Sequence, residues 1–518
     1  MKKISQKYLL IILDGWGITK PSIGNAITLA KTPTYDFFIK NYPNTLLEAH
    51  GSSVGLPKNQ DGNSEAGHMN IGAGRIVLQD DIYITKAIEQ GIFFKNPAFL
   101  EALNHSKKYK SNIHLIGILS GDQSPHVDSK HINALLQLLE ERGLKKIYLH
   151  LFTDGRDSSE HGSIKFLKEL KSNFKNGEVI ASIMGRFYAM DRNKVWFRTE
   201  LAYNAIVNGK GLKVDSAEDA ITRAYNRGET DEFIKPSVIY KNGKPVGKVS
   251  DDDSVIFFNL RSDRARQLTK LFVQHDVCEK NKCSIKRGEH LKNIKFVSMT
   301  DFGPDLDNIL TAFPSRNIKE TLPMQLSHLR QLYISESEKF AHVTYFINGG
   351  YKDPVGNESR EMIPSPSVNS YSLTPQMSAD KLVRKVVNYI KTDKYDFICV
   401  NFANPDMVAH TGDLKAGIKA VESVDKSLKY IKDSLREIDV TIFITADHGN
   451  IEEMIDLETG ETNTSHSTNP VPFIFVSKKY KTKKLRNGGI LGDIAPTILD
   501  VMNLQKPKEM KRESLIIK

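Results

Sequence analysis

Six side chains scattered along the chain carry the chemistry of a metal centre. NPDMVAH sets Asp406 and His410 four residues apart, on one face of a helical turn. TADHGN sets Asp447 and His448 side by side, TSHST adds His466, and KYLLIIL runs into Asp14. Imidazole with carboxylate suits Mn, Zn or Fe, and carboxylate with water suits Mg or Mn. Three carboxylates, three imidazoles and a hydroxyl exceed what one ion takes, so the set predicts two ions.

The hydroxyl comes from residues 60–75, QDGNSEAGHMNIGAGR. Ser64 stands there among Gly62, Gly67, Gly72 and Gly74. Glycine at that density predicts a loop that a phosphate can approach closely. No base is adjacent to Ser64 and no G-x-S-x-G elbow surrounds it. A metal ion would supply the missing activation, because a coordinated hydroxyl loses its proton far more readily.

A second group fills the middle of the chain: His126, Arg156, Asp157, Arg186, Arg192, Arg261 and Arg264. Arginine's planar fork matches pairs of carboxylate or phosphate oxygens. Several converging arginines therefore predict a small, multiply anionic ligand. Arg266, in RSDRARQL, is expected to face water. Asp157 is either a general base or the ion-pair partner of Arg156.

Short apolar, β-branched runs precede nearly all of these residues and read as buried strands. Amphipathic helical stretches at 129–142, 378–390 and 414–438 alternate with them. That alternation predicts α/β layers with largely parallel sheets, whose strand ends carry the ligands. The outer segments, 1–78 and 312–518, supply Asp and His, and the segment 79–311 supplies Arg. Two α/β domains follow, one discontinuous and the other inserted into it.

The composition is that of a globular chain, 40% hydrophobic and 26% charged. The net charge of +10 comes from scattered lysines. It fits an anionic small substrate, with no nucleic acid and no membrane as partner. Three cysteines make no disulfide framework and fit a reducing cytoplasm. The apolar run Tyr8–Leu13 is too short for a signal segment or a membrane span.

LDGWG, DGNSEAGHMNIGAGR, GDQSPHVDSKHI, FTDGRDSS, MGRFYAMDR, FNLRSDRARQLT, SESEKFAHVTYFING, NFANPDMVAHTGD, ITADHGN and TSHSTNPVPF occur in that order. Together they resemble the cofactor-independent (2,3-bisphosphoglycerate-independent) phosphoglycerate mutases of the alkaline phosphatase superfamily. The resemblance implies an alkaline-phosphatase-like phosphatase domain, 1–78 with 312–518, and an inserted phosphotransferase domain, 79–311. It implies interconversion of 3-phosphoglycerate and 2-phosphoglycerate in glycolysis and gluconeogenesis, by a cytoplasmic monomer that needs no 2,3-bisphosphoglycerate. Two Mn2+ per chain are implied, with Mg2+ as the alternative.

By motif position, Asp14, Ser64, Asp447 and His448 hold one ion, and Asp406, His410 and His466 the other. His126, Arg156, Asp157, Arg186, Arg192, Arg261, Arg264 and Lys339 bind substrate. Ser64 takes the phosphate and returns it, Asp157 moves the proton between hydroxyls, and Lys339 neutralises charge in flight. The resulting phosphoserine must be shielded from water, which closure of one domain on the other would achieve. A phosphohydrolase or phosphopentomutase would share the Asp/His set without the middle motifs. Two stretches depart from the pattern. HDVCEKNKCSIKRGEH replaces a short loop, and Lys511 and Arg512 stand where Thr-Gly is usual, as surface residues.

Overall fold

The strand Lys7–Leu13, apolar from Tyr8 onward, is central in one sheet, and its sequence shows why. Its neighbours on both sides are parallel, Phe397–Phe402 and Val440–Thr445. A strand covered on both faces reads as a continuous apolar run. The computed structural model describes residues 6–517 except 122, 123, 286, 289, 304 and 307. Within these the chain divides into two compact units, 1–79 with 316–518, and 80–315.

In the first unit the strand order is Glu358–Ile363, Gln331–Glu336, Phe397–Phe402, Lys7–Leu13, Val440–Thr445, Val471–Val476, Asn44–Glu48, Gly489–Ile490. The first five run parallel, and Val471–Val476 turns antiparallel. Helices Ala379–Lys391 and Leu414–Ser434 lay apolar faces against the sheet, including Leu382, Val386, Val421 and Leu428. Register places the chemistry. Leu13 pairs with Phe402 and Ile12 with Thr445, so Asp14, helix Asn404–Ala409 and Asp447 all leave the same sheet edge.

The second unit orders its sheet Ile309–Phe313, Lys295–Thr300, Ser254–Phe257, Ile113–Leu119, Ile147–Thr153, Val179–Gly185, Ser237–Lys241, Leu212–Val214. The strands are parallel as far as Val179–Gly185. Leu119 pairs with Thr153 and Thr153 with Gly185, so Asp154, Asp157 and Arg186 emerge together. A domain edge at 311 falls inside strand Ile309–Phe313. That strand is laddered to Lys295–Thr300, so the unit continues to Ser315. Among the described residues, no helix is long and apolar enough to cross a membrane.

The expectation of a glycine-rich loop around Ser64 is overturned. Ser64–Ala73 is an α-helix, with Asn63 as N-cap accepting from the Ala66 amide and Gly74 closing it in the left-handed region. The glycines serve contact rather than freedom. A Cβ on Gly67 would lie 2.5 Å from the Asp447 carbonyl oxygen, and one on Gly72 would lie 1.8 Å from that of Ile347. They let the helix press against protein backbone and do not open a path for a phosphate.

Candidate functional site

All the Asp, His and Ser residues singled out from the outer segments meet at one place in the first unit. Ser64 Oγ lies 2.9 Å from His448 Nε2 and 3.3 Å from Asp14 Oδ1. His448 Nε2 also lies 3.5 Å from Asp14 and from Asp447, and 3.9 Å from Asp406. His410 and His466 place Nε2 atoms 3.1 Å apart, each 3.3 Å from Asp406 Oδ1. Two ligand groups share this centre, Asp14–Asp447–His448 and Asp406–His448–His466. Lys339, which carried no signal of its own in the sequence, is buried among them. Its Nζ donates to Ser64 Oγ at 2.8 Å and lies 2.7 Å from Asp14 and 2.5 Å from Asp406.

Charge explains how these groups titrate. Burial opposes every ionised form here; mutual attraction wins for Asp14, Asp406, Lys339 and His448, whereas burial and His448 hold His466 below an ordinary imidazole. Burial and Asp447 push Asp14 up, but Lys339 and a hydrogen bond from His448 hold it below the usual carboxylate range. Asp406 lies well below that range, since Lys339 and His410 outweigh its burial. Burial lowers Lys339, but Asp14, Asp406 and Asp447 raise it far above an ordinary lysine, so it stays an ammonium. Burial lowers His448 too, while Asp447, Asp14 and Asp406 hold it up at about 9. Three buried carboxylates against one ammonium form a negative centre that recruits an imidazolium. Facing carboxylates and imidazoles with that charge deficit are a donor set fitted to divalent cations.

The middle residues assemble at the other sheet. Arg186 is buried and central. It donates to Asp154 at 2.6 Å and to Asp157 at 2.5 Å, with His126 Nε2 3.0 Å away. Asp157 therefore pairs with Arg186, while Arg156 lies 3.7 Å from Glu232. Arg192 and Arg261 flank Asp263, at 3.0 and 3.8 Å. Burial lowers the Arg264 pKa, and so do Arg186, Arg192 and Arg156, the signature of cations brought together. Burial, then Arg186, pushes His126 down to about 4, so it is a neutral acceptor. Arg266 is not simply solvated, because it forms an ion pair with Asp305.

Several residues that matter here were not singled out in the sequence. Asn401 donates to Asp14 Oδ2 at 2.6 Å and reaches His68 Nε2 at 3.1 Å. His68 Nδ1 faces the Ser64 carbonyl at 2.9 Å and Asp447 Oδ2 at 3.2 Å, so it carries that proton. Asn450 donates to Asp406 Oδ1 at 2.8 Å. Glu452, buried, accepts from the amides of Gly17 and Asn450. One signal was present: NFANPD and DHGN each put an asparagine beside the strand end that bears Asp406 or Asp447. Asp154 gives no separate signal in the sequence, where it stands beside Arg156 and Asp157 in TDGRD.

Comparison with known proteins places this geometry in a lineage. The Metalloenzyme superfamily model matches residues 6–506. A 2,3-bisphosphoglycerate-independent phosphoglycerate mutase of Clostridioides difficile is 48% identical over 515 residues, covering 98% of this chain and 99% of that one. This chain belongs to the cofactor-independent phosphoglycerate mutase family. A second family member, from Clostridium acetobutylicum, is 48% identical over 512 residues, 98% of each chain. A solved phosphoglycerate mutase of Leishmania mexicana, crystallised at low cobalt concentration, superposes with a TM-score of 0.74 at 29% identity, covering 99% of this chain and 98% of that one. The mutase family thus accounts for both units, including the arginine-bearing inserted one.

Proposed function

We propose that the chain interconverts 3-phosphoglycerate and 2-phosphoglycerate without 2,3-bisphosphoglycerate, through a phosphoserine at Ser64. The observation that carries this reading is the surroundings of Ser64 Oγ, within hydrogen-bond reach of both Lys339 Nζ and His448 Nε2. The unit 1–79 with 316–518 is read as the phosphatase domain and 80–315 as the phosphotransferase domain.

Ser64 opens helix Ser64–Ala73, whose N-terminal dipole favours an arriving anion. Lys339 stays protonated and so cannot be the base. It donates to the serine oxygen and then balances charge on the phosphoryl group. Asp14, Ser64, Asp447 and His448 are assigned to one ion, and Asp406, His410 and His466 to a second. When bound, these ions lower the serine pKa and offset phosphate charge. Two Mn2+ are proposed, because imidazole with carboxylate suits that ion better than Mg2+. His126, Arg156, Arg186, Arg192, Arg261 and Arg264 bind the anionic glycerate. Asp157, held by Arg186, moves a proton between its two hydroxyls. The phosphoryl group then returns from Ser64 to the other hydroxyl. The working form is read as a cytoplasmic monomer whose partners are these small molecules rather than nucleic acid or membrane.

The test is incubation of purified protein with 3-phosphoglycerate and Mn2+, without 2,3-bisphosphoglycerate, following 2-phosphoglycerate. Its appearance supports the reading, and free phosphate alone would make the protein a phosphohydrolase. Ser64→Ala abolishes transfer with an unchanged circular dichroism spectrum; retained mutase activity would refute the phosphoserine route.

A further inference from the structure

The segment His275–His290 has no part in the reaction above, yet it carries two of the chain's three cysteines. Helix Val277–Asn281 ends at Lys282, whose left-handed backbone (φ 52°) turns the chain back on itself. The Cys283 amide then donates to the Cys278 carbonyl at 3.1 Å. That reversal brings the two Sγ atoms to 2.6 Å, with the Cys283 thiol donating to Cys278. Both are unbridged and partly exposed, whereas Cys399 is fully buried within strand Phe397–Phe402.

We propose that Cys278 and Cys283 form a reversible dithiol–disulfide site that exchanges with small anionic disulfides such as glutathione disulfide. The backbone has already closed the short loop between them, so bridging requires little chain movement. Lys280, Lys282, Lys286 and Arg287 outnumber Asp276, Glu279 and Glu289 in the same stretch of sequence, by four to three. The net positive balance of the stretch draws an anionic disulfide. Burial and the Cys278 sulfur push the Cys283 thiol up to about 12, so Cys283 keeps its proton and Cys278 attacks first.

The exchange balances in two displacements. The Cys278 thiolate attacks one sulfur of the small disulfide, forms a mixed disulfide and expels one thiolate. Cys283 then loses its proton and attacks the Cys278 sulfur, which expels the second thiolate. Overall, two protein thiols and one small disulfide give one protein disulfide and two small thiols.

The segment is also tied to the helix that carries two of the substrate arginines. Arg287 donates to the carbonyls of Leu271, Gln274 and His275, at the C-terminal end of helix Ser262–Val273. Lys270 donates to Asn281 at 2.6 Å, and Asn281 donates to Gln274 at 3.0 Å. Arg261 caps the other end of that helix, and Arg264 lies in its first turn. The cysteine pair thus sits beside a structural support of the arginine site.

The test uses the full-length, metal-loaded protein, reduced, desalted and incubated with glutathione disulfide. Titratable thiols measured after denaturation fall from three to one, intact mass drops by two hydrogens, and dithiothreitol restores both. Cys283→Ser stops at a stable adduct of one glutathione, while Cys278→Ser reacts at least tenfold more slowly than the unaltered chain. Three thiols persisting under conditions that oxidise a control dithiol peptide would overturn the proposal. So would loss of the Cys399 thiol in step with the pair, or a Cys283→Ser protein that ends in the same product as the unaltered chain.

Discussion

At the scale of single residues, position decides role. Lys339 touches Ser64, Asp14 and Asp406 at once and is held as an ammonium by the carboxylates around it. Lys339→Met keeps most of the stem and removes the charge. Its kcat should fall by about 10²-fold or more, the usual loss when one donor to a developing charge is removed. A variant with near-native turnover would dismiss the electrostatic role. Asn401 acts one step further out, by fixing Asp14 through Oδ2 and so presenting Oδ1 to Ser64 and Lys339. Asn401→Asp replaces that donor with a like charge. Metal affinity, titrated into chelated protein, should weaken by about 10–100-fold, as for other partners that orient ligands.

His448 gives the pH dependence a definite sign. Metal-free, it is held up at about 9 against its burial. Its contribution to metal-free stability is thus complete below its unfolded value, ~6.5, and is lost as pH rises through about 9. Metal binding has the opposite slope, because the imidazole must shed that proton to act as a ligand. Apparent metal affinity should rise with pH across this window, by at most tenfold per unit for the one proton. Calorimetric titration at pH 7.5 in buffers of differing ionisation enthalpy should record a proton released. A buffer-independent heat would show that His448 is already neutral in the free protein.

At the scale of elements, helix Ser64–Ala73 is the instructive case. Alanine is a better helix former than glycine by about 1 kcal/mol. Judged by propensity alone, Gly67→Ala should stabilise the protein. The structure predicts the reverse, since the new Cβ would meet the Asp447 backbone at 2.5 Å and its own Cβ at 2.8 Å. Overpacking of this kind costs about 1–3 kcal/mol, and it displaces both Asp447 and the helix that carries Ser64. Denaturant melting and turnover should fall together in Gly67→Ala. A more stable, fully active variant would mean that the helix can slide without cost. Near the chain end, Arg512 is partly exposed, with 33% of its side chain open to solvent. With Arg486 it neutralises the buried Asp493, at 2.9 and 2.7 Å.

At the scale of the whole molecule, each unit has its own core, and among the described residues the groups that could hold a metal lie in only one of them. A ligand that binds only the folded state stabilises what it binds. Chelation should therefore raise amide hydrogen exchange in strands Lys7–Leu13 and Val440–Thr445. Strands Ile113–Leu119 and Ile147–Thr153, in the inserted unit, should keep their protection. An equal loss in both sheets would show that the two unfold as one cooperative body.

The sequence by itself determined the strands, the parallel α/β layering and the residue types at the strand ends. Continuous apolar runs and the residues that break them are local signals, readable without the fold. Asp14, Asp406 and Asp447 were legible for that reason, as were the arginines of the middle segment. The tertiary structure alone decided what depends on a neighbour distant in the chain. It turned the glycines around Ser64 from loop markers into contact points, because the atoms they must clear belong to Asp447 and Ile347. It gave Asp157 to Arg186 instead of Arg156, because register at the sheet edge overrides adjacency in the chain. It set Lys339 beside Ser64, and it supplied Asn401, His68 and Asn450 as holders of the Asp14, Asp447 and Asp406 carboxylates. A hydrogen-bond partner hundreds of residues away leaves no periodicity and no composition bias. It exists only once the strands have fixed their order and register.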